Sequence, residues 1–247
     1  MPATIEVENL TKVYPAHGRH EEAVLAVDHI GFEVHSGEIF GFLGPNGAGK
    51  TTTHRMLTTL LVPTEGTIRI EGHDIAREPY EAKRQMGLVP EESNVYLELT
   101  AWQNLMFTGR LYRVPKMDRE SRAQELLSLF GLWEKRDVKV ESYSRGMRRR
   151  LSIAMGIIHR PSLLFLDEPT PGLDAQSTRA IRGLVRQMNA EGTTIFITTH
   201  QIEEANQLCD RVAIIDHGRI AYARLQVRHN QAYQHKLSVE VALEADG

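Results

Sequence analysis

One run of this sequence has the residue types to hold a phosphate chain. Gly44-Pro45-Asn46-Gly47-Ala48-Gly49-Lys50-Thr51 spaces three glycines and closes on a lysine and a hydroxyl, the spacing of a nucleotide phosphate-binding loop. Glycines let a backbone curl until several N–H groups face one polyphosphate. In such a loop Lys50 brings a point charge to the β- and γ-phosphates, the Thr51 hydroxyl ligates Mg2+, and Thr52 reaches the α-phosphate. A second run, Leu163-Leu164-Phe165-Leu166-Asp167-Glu168, sets two carboxylates at the end of an apolar stretch. Asp167 is suited to hold Mg2+ through water, and Glu168 to take a proton from an attacking water. Taken singly, each run has a plainer reading: a chance glycine-rich turn, or a helix N-cap after a strand. Together they point to ATP or a related triphosphate, with Mg2+, and to its hydrolysis.

Elements on either side must place these groups. Residues 38–43 read as a buried strand leading into the loop, and 51–61 have helical spacing, with Met56, Leu57, Leu60 and Leu61 on one side. The loop then lies between strand and helix, where the helix dipole adds positive potential. Upstream, 4–10 and 23–33 read as strands, with a polar loop over 15–22 between them, and 67–71 as a further strand. From 80 to 150 the pattern is helix-rich, clearest over 118–132 with Leu126, Leu127, Leu129 and Phe130 apolar. Residues 163–166 restore a strand. An amphipathic helix over 177–190 turns Ile181, Leu184, Val185 and Met188 inward. Residues 194–198 and 211–215 read as strands, with a short helix over 203–208 between them. The alternation implies an α/β fold: a P-loop NTPase core with a mixed, mostly parallel sheet, an N-terminal antiparallel β region and an inserted α-helical subdomain over about 91–155.

Composition narrows the function. The 247 residues carry 29 Lys and Arg against 32 Asp and Glu, a formal net charge of −3, which argues against a nucleic-acid binder that works through bulk charge. The longest apolar runs are strand-sized, far below the roughly 20 residues of a spanning helix. Residues 1–6 show no basic start and no apolar signal core. Work at a membrane is therefore expected to go through a partner. The single cysteine, Cys209, cannot close an intrachain disulfide and is expected to pack as a small apolar residue. A metal site in the His229 to His235 cluster is not expected, since no carboxylate or cysteine completes it.

Further segments are more specific. Tyr143-Ser144-Arg145-Gly146-Met147-Arg148-Arg149-Arg150-Leu151, shortly before Asp167, resembles the signature motif of ATP-binding cassette (ABC) ATPases. Pro171-Gly172-Leu173-Asp174 resembles their D-loop and Thr199-His200 their switch histidine, while Tyr14 falls where the family stacks an aromatic on adenine. The resemblance runs from about residue 4 to 220. It implies an ABC transporter nucleotide-binding subunit on the cytoplasmic face of the membrane, peripheral to integral membrane permease subunits. It also implies a second copy of the chain, or a related cassette, packed head to tail so that two ATP molecules are sandwiched. Ser144 and the Gly146 amide of one copy would then close on the γ-phosphate held by the other, with a helix from Leu151 onward facing it. His200 would donate to the same phosphate. Residues 1–221 would form the cassette and 222–247 an extension, in which Leu237, Val239, Val241 and Leu243 alternate as in a strand.

The sequence also departs from the family pattern. Glu91, in Leu88-Val89-Pro90-Glu91-Glu92, stands where the family usually has a glutamine. Its carboxylate can still ligate Mg2+ or orient water, adds negative charge near the γ-phosphate, and is expected still to couple nucleotide state to the helical subdomain. Arg145 and Met147 replace the usual glycine and glutamine of the signature, and Pro171 a smaller residue. None of these removes a phosphate donor or the base. The run Arg148 to Arg150 is expected to be a solvated basic face, with a partner contact as the second reading. The variant signature together with Val-Pro-Glu-Glu resembles the subgroup that serves drug, sodium, polysaccharide or haem exporters. The alternative is a soluble ABC ATPase acting on DNA or ribosomes. Those families usually carry a long coiled-coil insertion or two cassettes in one chain, which this sequence lacks, and no nucleic-acid partner is expected.

Overall fold

A computed structural model describes residues 3–16 and 22–226. Most of the expected 15–22 loop, the His229 to His235 cluster and the 237–243 alternation lie outside the described residues. The chain runs β1 (Ala3–Tyr14), β2 (Val24–His35), β3 (Ile39–Leu43), α1 (Lys50–Leu57), β4 (Glu65–Ile70), β5 (His73–Asp74), α2 (Pro79–Gln85), β6 (Met86–Val89) and α3 (Ala101–Leu111). It continues through α4 (Lys116–Leu129), α5 (Arg145–Gly156), β7 (Leu163–Asp167), α6 (Ala175–Ala190), β8 (Thr194–Thr199), α7 (Ile202–Leu208), β9 (Arg211–Asp216) and β10 (Arg219–Gln226). No helix among the described residues is long and apolar enough to cross a membrane.

Period-two alternation in the central strands creates two cores. Ile39, Leu43, Leu164, Leu166, Ile195 and Ile197 face one side of a six-stranded sheet of order β10-β9-β3-β8-β7-β6. There they meet apolar residues of α3 to α6, among them Leu105, Leu126, Leu127, Ile153, Ile181 and Val185. Phe40, Phe42, Leu163, Phe165 and Phe196 face the other side, against the antiparallel sheet of order β2-β1-β4-β5. Phe32, Phe40, Phe42, Phe165 and Phe196 form a ring cluster with centroids 5.4 to 6.2 Å apart. Each fully buried ring contributes roughly 1.5–3 kcal/mol of transfer free energy. The β3–β8, β3–β9, β7–β8 and β6–β7 pairs are parallel and β9–β10 is antiparallel. Cys209 is fully buried against Gly41, where a Cβ would lie 2.7 Å from its Sγ, and burial pushes the thiol well above its ordinary range.

Three expectations need correction. The first helix stops at Leu57, because the Thr58 hydroxyl bonds the His54 carbonyl at 2.8 Å and Thr59 turns left-handed. Leu60 consequently faces solvent instead of the core. The helix-rich stretch from 80 contains a strand, β6, too short at four residues to show periodicity. The signature helix begins at Arg145, not Leu151: Ser144 caps it by accepting from the Met147 amide at 3.3 Å. By contrast α6 buries Ile181, Leu184, Val185 and Met188, the four residues its amphipathic pattern predicts.

His159 follows α5 and ties it to the sheet edge. Its Nε2 lies 2.9 Å from the Met86 carbonyl and its ring stacks on Tyr112 with centroids 3.7 Å apart. Burial lowers its pKa to about 4. Between that value and the ordinary value near 6.5 the unfolded chain binds more protons, so stability is complete above the ordinary value and falls as pH drops. Urea denaturation should find the protein about 2–3 kcal/mol less stable near pH 4 than at pH 7 on this account. The His159→Asn variant should lose that part of the pH dependence; an unchanged slope would remove His159 as its source.

Candidate active site

The parallel register brings three functional segments to one edge. Leu43 of β3 pairs with Thr199 of β8, and Thr198 of β8 with Asp167 of β7. The glycine loop, the two carboxylates and His200 therefore all leave the sheet at the C-terminal ends of adjacent strands, where open α/β sheets bind ligands.

Close backbone approach shapes the loop. At Gly44 a Cβ would lie 2.3 Å from the Ile215 carbonyl. Gly49 has φ +109° and a Cβ there would lie 2.7 Å from the Ala26 carbonyl. The Gly218 amide donates to Ala48 O at 3.0 Å, fixing the loop to the β9–β10 turn. Asn46, Gly47, Gly49, Lys50, Thr51 and Thr52, with Ala26 of β2, line a hollow of about 150 Å3. Pro45 and Ala48 shape this loop without lining the hollow. The Lys50 ammonium donates to Gly44 O at 2.6 Å and Pro45 O at 3.0 Å. Burial lowers its pKa, opposed by the carboxylates of Glu168, Asp167 and Glu91, which places all three within electrostatic reach of the loop.

The carboxylates differ in surroundings. Asp167 accepts a short hydrogen bond from the Thr198 hydroxyl. Its other oxygen lies 3.9 Å from Nδ1 of the buried His54. Thr51 and Asp167 offer hard oxygen donors, a set that fits Mg2+, which usually takes one or two carboxylates and completes its shell with phosphate and water. Glu168 adopts φ +44°, uncommon for a side-chain-bearing residue, and its amide donates to Thr198 O at 3.1 Å. His200 Nδ1 lies 2.8 Å from Glu168 Oε1, while Oε2 is buried with no protein partner. Burial raises the Glu168 pKa, opposed first by the His200 hydrogen bond. The result is a carboxylate held by one oxygen, with the other buried and left without a protein partner.

Other expected residues are placed as follows. Glu91 is exposed and shares a cavity of about 740 Å3 with Tyr143, Arg145, Arg149, Glu168 and Pro171. Ser144 caps α5, and Gly146 lies so close to α6 that a Cβ would be 2.2 Å from the Ser177 hydroxyl oxygen. Asp174 caps α6, accepting from the Ser177 amide and hydroxyl at 2.8 Å each, bonds that lower its pKa. Tyr14 ends β1 under the Lys12 ammonium, 5.6 Å away, and does not line the phosphate hollow. The solvated basic face expected at Arg148 to Arg150 is corrected: Arg148 bonds Glu141 O, Arg150 bonds Phe130 O at 2.8 Å, and Arg149 is buried against main-chain carbonyls. Sequence reasoning missed His54, Arg149 and the fully buried Glu204, which accepts from Thr170 at 2.6 Å. Beginning the signature helix at its Ser144 cap would have put Arg149 on the inward face with Gly146, Ile153 and Gly156.

Known proteins resemble this chain in family and fold. The family model described as ABC transporter matches residues 27–171. The daunorubicin/doxorubicin resistance ATP-binding protein DrrA of Streptomyces peucetius is 45% identical over 216 residues, covering 87% of this chain and 63% of that protein. The Nod factor export ATP-binding protein I of Ralstonia nicotianae is 41% identical over 215 residues, covering 87% of this chain and 65% of that protein. The chain thus spans under two thirds of either relative. Among solved structures, a dimeric ATP-binding cassette in a post-hydrolysis state bound to ADP and Pi superposes with a TM-score of 0.79 at 26% identity, covering 91% of this chain and 99% of that one.

Two glycine substitutions separate conformation from collision in the loop. Gly47 has φ +83° but open space around a would-be Cβ, so Gly47→Ala should cost about 1 kcal/mol. Gly49→Ala adds the collision with Ala26 O and should cost roughly 1–3 kcal/mol more. Thermal denaturation and titration with a fluorescent triphosphate should rank Gly49→Ala as the weaker protein on both counts; equal behaviour would reject the collision argument.

Proposed function

The chain belongs to the ABC transporter family, and from that premise we propose that it is an ATP-binding, ATP-hydrolysing subunit that powers transmembrane export through separate membrane subunits. The observation that carries the reading is the Glu168 carboxylate, fixed through Oε1 by His200 and keeping a buried Oε2 without a protein partner, at the strand edge from which the phosphate loop also leaves. The names of the drug-resistance and Nod factor export relatives support the direction of transport.

In this reading the loop from Gly44 to Thr52 wraps the triphosphate through its amides, and Lys50 exchanges its carbonyl contacts for phosphate oxygens. Bound Mg2+ would neutralise phosphate charge and polarise the γ-phosphoryl group, with Thr51 and Asp167 as its protein ligands and Glu91 near it. Glu168 Oε2 takes a proton from a water whose oxygen attacks the γ-phosphorus, and the bond to ADP breaks. His200 holds Glu168 through Nδ1 and turns Nε2 towards the phosphate. Tyr14 stacks on adenine.

A second copy, or a related cassette, supplies the other half of the site. The Ser144 hydroxyl accepts from Met147 in its own chain, which leaves its proton free to donate to a phosphate oxygen. Gly146 and the first turn of α5 add backbone N–H groups and the positive end of a helix dipole. Asp174 stands at the start of α6, beside Gly146, on the surface that would face the partner. Residues 1–221 form the cassette, with the helices over about 91–155 as its inserted part. Exposed Tyr96, Phe107, Leu111 and Tyr112 give that part an apolar surface for the integral membrane subunits to cover, and this reading has the chain working at the cytoplasmic face.

Three variants test the mechanism with phosphate release and size-exclusion chromatography. Glu168→Gln should keep ATP binding, lose turnover by at least about a hundredfold, and accumulate as a dimer in ATP; full turnover would exclude Glu168 as base. Lys50→Ala should weaken ATP binding by roughly tenfold to a hundredfold, the worth of a charge-assisted phosphate contact. Because burial raises the Glu168 pKa and the base form must be unprotonated, kcat should rise with pH through a limb above the ordinary carboxylate value near 4.3. In His200→Ala, loss of the bond that stabilises the carboxylate should move this limb to higher pH, and a limb unmoved or lowered would contradict the pairing.

A further inference from the structure

Arg149 is 3% exposed, yet each of its five N–H donors has a main-chain acceptor. Nε donates to Pro169 O at 3.1 Å. Nη1 donates to Pro90 O in a short bond and to Glu91 O at 3.1 Å. Nη2 donates to Asp167 O at 2.7 Å and Glu168 O at 3.1 Å. The acceptors belong to two segments, 90–91 after β6 and 167–169 at the end of β7, and those strands are parallel neighbours with Val89 opposite Leu166. The donor comes from a third element, α5, which Ser144 caps.

We propose that Arg149 is a positioning residue that fixes the Glu168 peptide relative to segment 90–91, so that displacement of that segment is passed to the Glu168 carboxylate through one guanidinium. The proposal rests on Glu168 acting as the base. A guanidinium suits the task because its five donors lie in one plane at fixed angles, whereas a lysine has three donors on a single atom and cannot span both segments. Its charge is kept by Asp167, Glu204 and Glu91 nearby, although burial lowers its pKa to about 10. All five acceptors are carbonyls, so the link uses no polar side-chain atom at 90, 91, 167, 168 or 169. It depends only on the path of the backbone. Displacing segment 90–91 must either break two of the bonds or carry the guanidinium, and with it the Glu168 carbonyl, along.

The test combines kinetics with NMR. Arg149→Lys should lower kcat at least tenfold while KM for ATP stays within threefold. Pro90→Gly, which loosens one acceptor segment, should lower kcat by itself, yet the double variant should be no worse than Arg149→Lys within threefold. A kcat unchanged by Arg149→Lys, or losses that multiply in the double variant, would overturn the coupling. The second measurement needs neither nucleotide nor a folded variant, so it is independent of whether the chain hydrolyses ATP. In the wild-type chain labelled with 15N-arginine, Arg149, assigned through its contacts with Pro90 and Pro169, should show four separate Nη proton resonances, the mark of a guanidinium locked against rotation. A single averaged Nη signal would overturn the proposal.

Discussion

Three parallel strands that end level with one another are the constraint on which the site depends. With Leu43 opposite Thr199 and Thr198 opposite Asp167, the loop after β3, the carboxylates of β7 and the histidine after β8 emerge together. That register is set by burial on both faces. Slipping any of the three strands by one residue would turn its phenylalanine side towards the helices and its Ile and Leu side towards the aromatic cluster. The Phe cluster and the helix-facing aliphatic core therefore do more than supply burial energy: they align the strand ends to within a residue.

Burial of charge is the second theme. Lys50, Arg149, Glu168 and Glu204 are all withdrawn from water, and a buried charge is costly unless other groups offset it. Lys50 and Arg149 are offset by carbonyls and by the carboxylates around them. Glu168 and Glu204 are each offset through one oxygen only, by His200 and Thr170, and keep the other buried and unpartnered. Glu168 adds a left-handed backbone to this. Unsatisfied polarity and backbone strain each cost stability, and their coincidence at Glu168 fits the proposed role of a residue whose lone pair is kept free for chemistry.

The parts of this arrangement legible in the sequence are those with local causes. The loop glycines, the apolar run ending in two carboxylates, and the period of α6 each state their structure within ten or so residues. Leu60 misled because helical spacing continues past Leu57, while the stop depends on the Thr58 hydroxyl and the left-handed Thr59. β6 is four residues long and owes its existence to β7 beside it. Arg149 was hidden by chemistry and by an error of register. Three successive arginines look like a solvated face, and starting the helix six residues late removed the inward position that marks the middle one. Nor could any local pattern announce acceptors 18 to 59 residues away.

The substitution of glutamate for the family's usual glutamine at 91 takes on a different weight in this light. A side chain at that place that both touched the nucleotide and carried the mechanical link could not change charge without weakening the link. Here the connection from segment 90–91 to the Glu168 peptide runs through the Pro90 and Glu91 carbonyls to Arg149, and Glu91 is exposed. The two tasks are therefore separable. The backbone holds the segment against α5 and β7, and the side chain is free to set the charge near the loop, where its carboxylate already acts on Lys50 and Arg149. A carboxylate there raises the negative potential around the phosphate site, an effect that Lys50 and Arg149 moderate at short range and salt moderates further out. Exchange between Glu and Gln at 91 is thus an electrostatic adjustment to a site whose geometry is held elsewhere, by a guanidinium whose acceptors no side-chain substitution can remove.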